Sequence, residues 1–218
     1  MSLPKLEILF EDNHLFVVNK PAGIPTQPDD TGQPNLLIMC REWIKEAHAK
    51  PGNVYLETVH RIDKPVSGVV LFAKTSKSLS RLNEAMRSRQ MCKTYLAQVA
   101  GLLPDDTGTL LHHLIHGDHR AIISKPGVEG AKEARLSYRV LSRSSGYCTI
   151  EIDLETGRYH QIRAQFAAIG HPILGDMRYG GPPIQWGEGI ALHHARLELI
   201  HPVIGTSMIF EAPSPFPV

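Results

Sequence analysis

The pattern of short apolar segments constrains the fold of this chain more than any other feature. Alternating or β-branched segments bounded by glycine and proline are typical of strands, and they occur at 7–10, 15–20, 94–100, 147–154, 190–199 and 207–211. Shorter strands separated by turns are expected between Gly108 and Arg143. Helical spacing occurs over 35–49, over 76–89 and after Thr156-Gly157. Ser76 or Ser78 is the expected cap of the second of these helices. Because strands and long helices do not alternate regularly, we predict an α+β fold with a mixed, mainly antiparallel sheet flanked by helices.

Length and composition exclude several classes of protein. The 218 residues provide room for one compact domain or two small lobes. Hydrophobic residues make up 42% of the chain and charged residues 21%, which excludes a disordered tail protein. The apolar runs, such as 69–73, are too short to span a bilayer, and the first residues lack the pattern of a secretory signal. Three cysteines without Cys-x-x-Cys spacing indicate free thiols. We therefore expect a cytoplasmic protein without a membrane partner.

Charge is distributed unevenly along the chain. The net charge is only +1, which does not by itself indicate a nucleic-acid partner. Between Lys77 and Lys93, however, five basic residues and one acidic residue give a local charge of +4. Two interpretations are open: a solvated helix face, which charge alone favours, and a surface that binds phosphates.

The first segment with concentrated polar chemistry is His60–Gly68, which leads directly into the apolar run at 69–73. Asp63 lies between Arg61 and Lys64, and nearby positive charge keeps a carboxylate ionised. Proline and glycine in the segment predict a tight turn that fixes the direction of this carboxylate. A catalytic carboxylate and an ordinary surface ion cluster both fit this pattern.

The second such segment is Gly157–Arg163, followed by 170–176. Polar residues in the first turn of a helix are well placed to meet a phosphate or carboxylate. Arg163 falls beside the apolar stripe of the predicted helix, from where its guanidinium can reach a partner such as Asp63. The alternative is a surface arginine beside an ordinary core helix.

These segments resemble the motifs of the RluA-type RNA pseudouridine synthases. His60–Gly68 matches the family pattern His-Arg-Leu-Asp, a basic residue, a variable residue, then Thr-Ser-Gly, with Ile for Leu and Val for Thr. Gly157–Arg163 is similar to Gly-Arg-Thr-His-Gln-Ile-Arg, with Tyr159 in place of Thr. Three further blocks resemble the family's N-terminal motif and its C-terminal strands, namely 19–23, 192–197 and 210–213. The blocks appear in the family's order over nearly the whole chain.

The resemblance implies isomerisation of specific uridines to pseudouridine in ribosomal RNA, notably of the large subunit, or in transfer RNA, without a cofactor. Asp63 matches the catalytic aspartate, Tyr95 the active-site tyrosine that stacks on the displaced base, and Arg163 the arginine that compensates the carboxylate's charge. The family fold implies two lobes with the active cleft between them. We expect one catalytic domain over 1–218, without a separate N-terminal RNA-binding domain, acting as a monomer.

The expected partner is an RNA stem-loop, because a uridine is least costly to unstack in a loop or bulge. The resemblance also favours phosphate binding by the basic segment. The predicted RNA-binding residues are Arg61, Lys64, Arg81, Arg87, Arg89, Lys93, Arg158, His160 and Gln161.

The histidines permit other interpretations, which the sequence supports less well. His112, His113, His116 and His119 do not have the fuller ligand set that zinc requires, so we expect no metal site. We expect His60 to orient its loop through a hydrogen bond. The adjacent histidines 193 and 194 are expected to alternate along a strand, one pointing inward and the other outward. Two rival functions stay open: an RNA-binding or chaperone module without catalysis, and a hydrolase that pairs Asp63 with a second carboxylate.

Overall fold

A computed structural model describes residues 5–28, 32–184 and 187–217. The described part of the chain divides into two compact units. The first contains the described residues up to Met91 together with His194–Pro213, and the second contains Cys92–His193 with the residues from Ser214 onward. Two units agree with the two lobes expected from the sequence; the cleft between them stays a prediction.

The secondary structure consists mainly of strands. The strands are β1 (Glu7–Glu11), β2 (Leu15–Lys20), β3 (Glu57–Thr58), β4 (Ser67–Ala73), β5 (Cys92–Ala100), β6 (Thr107–His116), β7 (Ala121–Ser124), β8 (Lys132–Ser144), β9 (Tyr147–Leu154), β10 (Leu192–Ile200) and β11 (Ser207–Glu211). The helices are α1 (Leu36–Ala47), α2 (Ser76–Arg87) and α3 (Gln161–Ala168), with a short 3₁₀ turn at Met177–Tyr179. None of the helices in the described ranges is long and apolar enough to cross a membrane.

The first unit is built around β4, all seven residues of which are buried. β4 pairs antiparallel with β2 and with β3, β1 pairs with β2, and β11 pairs with β10. Side chains such as Val69 and Leu71 pack with Leu82 of α2 and Leu197 of β10 in one apolar cluster. Burial on both faces explains why β4 reads as a continuous apolar run rather than an alternating one.

The second unit is an antiparallel sheet with strand order β5-β9-β8-β6-β7. Leu114 of β6, Ala134 of β8 and Ala164 of α3 form a small apolar cluster with Tyr179. β9 covers the predicted segment 147–154, and the antiparallel pairing confirms the predicted fold class.

Several local predictions were wrong. α2 is capped by Thr75, whose hydroxyl accepts from the Ser78 amide, and not by Ser76 or Ser78. α3 begins only at Gln161, because His160 has a left-handed backbone (φ 50°) that a helix cannot include. His193 and His194 are both buried, because the strand that carries them is covered on both faces there. Sequence periodicity gave no sign of the two-residue β3.

Candidate catalytic residues in the two units

Asp63 lies in the loop between β3 and β4 of the first unit, and it is half-buried. Its carbonyl oxygen accepts a hydrogen bond from the Val66 amide (3.0 Å), which closes the predicted turn before β4. The neighbouring Lys64 is exposed, and its ammonium group donates to Gln33 Oε1 (2.7 Å). Arg61 is also exposed. The turn therefore carries basic side chains on both sides of the carboxylate.

Lys20, at the end of β2, anchors this loop through hydrogen bonds from its buried ammonium group. Its side chain is fully buried, and its ammonium group donates to the carbonyl oxygens of Pro21 (2.9 Å), Ile24 (2.8 Å) and Lys64 (3.2 Å). Burial lowers the pKa of Lys20 to about 7, although the negative charge of Asp63 opposes this shift. Lys20 stands in the 19–23 block of the family resemblance, but sequence reasoning gave it no role.

Gly68, the second residue of β4, lies at a place where no side chain fits. Its φ is +119°, and a Cβ atom there would lie 2.3 Å from the carbonyl oxygen of His194. The ring of His194 donates from Nδ1 to the Val69 carbonyl (2.6 Å). His60 Nε2 accepts from the Leu71 amide (3.2 Å), as expected for a residue that orients its loop. The glycine of the motif thus permits β10 to approach the strand that carries the Asp63 turn.

In the second unit, Arg163 forms a bidentate ion pair with Asp176. Arg163 Nε lies 2.6 Å from Asp176 Oδ2 and Nη2 lies 2.8 Å from Oδ1. The two residues are only 4% and 2% exposed. Its position beside the apolar stripe predicted that Arg163 lies at the border of the buried face. Arg163 is instead fully inside the unit. Most residues of this short helix are buried, polar ones included. A bidentate pair of this kind fixes the plane of a guanidinium as well as its position.

Tyr179 completes the surroundings of this ion pair. The Arg163 Cζ atom lies 5.2 Å from the centre of the Tyr179 ring, within the range of a cation–π contact. The Tyr179 hydroxyl accepts from the Ala121 amide (2.7 Å) and lies 3.0 Å from His160 Nδ1. Burial, with the charges of Arg163 and Arg178, lowers the pKa of His160 to about 3. His160 is thus a neutral, buried ring, and its predicted contact with RNA stays a prediction.

Gln161 also has surroundings typical of a structural residue. It is buried, its Oε1 accepts from the Thr156 hydroxyl (2.8 Å) and the Arg158 amide (3.0 Å), and its Nε2 donates to the Arg135 carbonyl (3.1 Å). Arg158 Nε donates to the Glu133 carbonyl (2.9 Å). These contacts hold the loop before α3 in place, which favours a positioning role for Gln161 over the predicted contact with RNA.

Tyr95 and Lys93 lie two residues apart on β5, and therefore on the same face of that strand. Tyr95 is buried and is paired in register with Ile152 of β9. Lys93 is half-buried, and burial lowers its pKa. The expected stacking of the Tyr95 ring on the displaced base stays a prediction.

The basic segment is less uniform than its charge suggested. Arg81 donates from Nη1 to the Pro202 carbonyl (2.6 Å), and Arg87 pairs with Glu84 one turn earlier on α2. Arg89 is exposed just beyond the helix. The contacts of Arg81 and Arg87 fit a solvated helix face, so Arg89 is the residue here best placed for a phosphate.

Over 5–28, 32–184 and 187–217, no group of three or more His, Cys, Asp or Glu residues is arranged to hold a metal ion.

Comparison with known proteins identifies the family. The family model described as RNA pseudouridylate synthase matches residues 14–168. The dual-specificity RNA pseudouridine synthase RluA of Yersinia pestis is 34% identical, over 96% of this chain and 99% of the relative. The ribosomal large subunit pseudouridine synthase D of Nitrosomonas europaea is also 34% identical, over 96% of this chain and 62% of that longer relative.

A solved human structure, RNA Pseudouridylate Synthase Domain Containing 4, has the same fold with a TM-score of 0.80. It is 23% identical and covers 96% of this chain and 88% of its own. The chain belongs to the RNA pseudouridylate synthase family, and its named relatives place it with the RluA-type enzymes. The predicted class of enzyme, an isomerase that acts as an RNA pseudouridine synthase, is confirmed.

Proposed function

We propose that this protein converts specific uridines to pseudouridine in structured RNA, with Asp63 as the reacting carboxylate and without a cofactor. The observation that carries the proposal is the family signature at His60–Gly68, which lies on a loop held by its own turn and by Lys20. The target is a stem-loop of ribosomal RNA, notably of the large subunit, or of transfer RNA. The names of the two relatives, one dual-specificity and one ribosomal, support these RNA classes.

The reaction conserves every atom of the nucleotide. The bond between the uracil nitrogen and the ribose carbon breaks, the base turns, and a bond forms between the ribose and a ring carbon. That ring carbon then loses its proton, and the released nitrogen gains one. Asp63 either attacks as a nucleophile or assists the departing base, and both roles require an ionised carboxylate. The charges of Lys20 and Asp63 interact, because the negative charge of Asp63 opposes the lowering of the Lys20 pKa by burial.

Tyr95 and Arg163 supply the other two roles in this proposal. The Tyr95 ring stacks on the displaced base, for which a phenol offers an apolar face. Arg163 supplies a fixed positive charge that favours an ionised carboxylate at the reaction centre. Asp176 and Tyr179 act as positioning residues, because they hold the Arg163 guanidinium by two hydrogen bonds and a ring face. A fixed charge costs no reorganisation during the reaction.

The remaining parts of the proposal concern RNA binding and organisation. The exposed Arg61, Lys64 and Arg89 contact phosphates, which position the RNA without reading its sequence. The chain acts as a monomer and as one catalytic domain.

The decisive experiment maps pseudouridine by selective chemical labelling and primer extension. Cells that lack the gene should lose at least one modified uridine, which the wild-type gene restores. Asp63→Asn should fail to restore it while the purified variant still binds the same RNA. Asp105→Asn, at an exposed carboxylate, serves as the matched control and should restore it.

Three outcomes would contradict the proposal. If cells without the gene keep every pseudouridine in both RNA classes, the proposed targets are refuted. Full restoration by Asp63→Asn would favour an RNA chaperone. Release of free uracil from the RNA would favour the hydrolase.

A further inference from the structure

Tyr159 and His116 form an exposed aromatic surface in the second unit. Tyr159 is 37% exposed although it immediately precedes the buried His160. Its ring stacks on the His160 imidazole, with 3.8 Å between centroids and 20° between planes. His116, exposed at the end of β6, meets the Tyr159 ring edge-to-face at 4.3 Å and 71°. The Tyr159 ring therefore contacts both the exposed His116 ring and the buried His160 ring.

These contacts restrict the Tyr159 ring before any ligand binds. His160 has a left-handed backbone and is held through Nδ1 by the Tyr179 hydroxyl. Tyr179 is in turn anchored by the Ala121 amide of β7. A ring that is already restricted loses less conformational entropy on binding, which favours recognition.

Two exposed arginines, Arg120 and Arg178, lie in or against the turn that follows His116. Arg178 is exposed, and its Nη1 donates to the His119 carbonyl (2.7 Å) in the turn between β6 and β7. Arg120 is exposed in the same turn, with its Cζ 5.2 Å from the centre of the Tyr179 ring. The acidic residue of that turn, Asp118, lies 3.3 Å from the His119 ring. Exposed rings beside guanidinium groups fit a single-stranded nucleic acid, which presents flat bases and phosphates together.

We propose that His116, Tyr159, Arg120 and Arg178 form a binding surface for an unpaired base of the RNA substrate and its adjacent phosphate, which we name the aromatic patch. The proposal rests on the proposed function, since it takes RNA as the substrate. Tyr159 and His116 contact the base, and the two arginines contact the phosphate. The family motif has Thr where this chain has Tyr159, so stacking there is a property of this chain rather than of the motif.

The first test uses the wild-type protein. A single-stranded RNA oligonucleotide that contains 5-iodouridine is irradiated with the protein, and the cross-linked peptides are identified by mass spectrometry. Cross-links should map to Tyr159 or His116, and a duplex of the same sequence should give few. Cross-links confined to other residues would overturn the proposal.

The second test measures affinity for the same oligonucleotide. Tyr159→Ala should weaken binding by about 5- to 150-fold, the range for loss of one base–aromatic stack. Tyr159→Phe should bind like the wild type, because stacking does not use the hydroxyl. Leu111→Ala is the matched control, since Leu111 is 54% exposed on β6 with its side chain on the opposite face from His116. Equal affinities of Tyr159→Ala and Leu111→Ala would overturn the proposal.

The third test concerns the phosphate. Arg178→Ala should reduce the slope of log affinity against log salt concentration by about 0.7, the value for one phosphate of a single strand. Tyr159→Ala should leave that slope unchanged, and the reverse pattern would overturn the assignment of roles. None of these measurements needs turnover, so their failure is distinct from a failure of Asp63→Asn to abolish pseudouridine formation.

Discussion

Asp176 holds the guanidinium of Arg163 through two hydrogen bonds of 2.6 and 2.8 Å, and both residues are almost completely buried. Removing one member of a buried pair leaves the other charge without compensation. We expect Asp176→Ala to lower the free energy of unfolding by about 3–5 kcal/mol, measured by urea denaturation. Glu151→Gln breaks the exposed Arg139–Glu151 contact of similar length (2.8 Å) and should cost about 0–1 kcal/mol. Similar losses for the two variants would contradict the claim that burial gives the Arg163 pair its importance.

Lys20 predicts a specific pH dependence of stability. Its pKa is about 7 in the folded protein, below the usual 10.5 of an exposed lysine. Between these values the unfolded chain binds more protons than the folded chain at this site, so stability should rise as the pH increases from 7 to 10.5. Urea titrations of the wild type and Lys20→Met should show a difference in unfolding free energy that shifts in favour of the wild type over this interval. A difference that is constant with pH would refute the assignment.

Gly68 provides a test of the close approach of β10. Gly68→Ala introduces both a strained backbone (φ +119°) and a methyl group 2.3 Å from the His194 carbonyl oxygen. Gly146 also has a positive φ (+87°), but no atom lies within 4 Å of its Cβ position. Gly146→Ala should cost about 1–2 kcal/mol for the left-handed backbone. Gly68→Ala should cost at least about 1–3 kcal/mol more, from overpacking. Thermal and urea unfolding measure both losses, and equal losses for the two variants would contradict the crowding at Gly68.

The cap of α2 distinguishes the structure from the sequence prediction. Thr75→Ala removes the hydroxyl that accepts from the Ser78 amide (3.1 Å) and should lower stability by about 0.5–2 kcal/mol. Ser76→Ala, at the first residue of the helix, should have little effect. The opposite order of the two losses would restore the sequence-based choice of Ser76.

Some elements follow directly from local sequence. β9 alternates polar and apolar residues over 147–154, and the strand has those bounds, because alternation reports a half-buried strand without help from distant residues. α1 begins after Asn35, whose side chain accepts from the Ile38 amide (3.2 Å), a pattern carried within four residues. The signature around Asp63 was likewise readable, because its spacing is fixed within one short loop.

Other features depend on contacts between distant segments. Asp176 was not identified as the partner of Arg163, because the pairing requires the 3₁₀ turn at Met177–Tyr179 to bring a loop carboxylate against α3. Arg163 was expected at the border of the buried face, but this short helix is buried on most sides, so its apolar stripe does not mark where burial ends. The start of α3 was predicted too early, because the local sequence does not indicate that His160 adopts a left-handed backbone. Tertiary packing, not propensity, decides each of these.

The burial of β4 has a consequence for the motion of the Asp63 loop. All seven of its residues are buried and it pairs with both β2 and β3, so its amides belong to the part of the first unit that opens only when the whole unit unfolds. Asp63 lies four residues before this strand, and its carbonyl oxygen accepts from the amide of Val66, the last residue before β4. A carboxylate next to such a stable segment keeps its place, so the proposed function requires the RNA, rather than the Asp63 loop, to make the larger rearrangement.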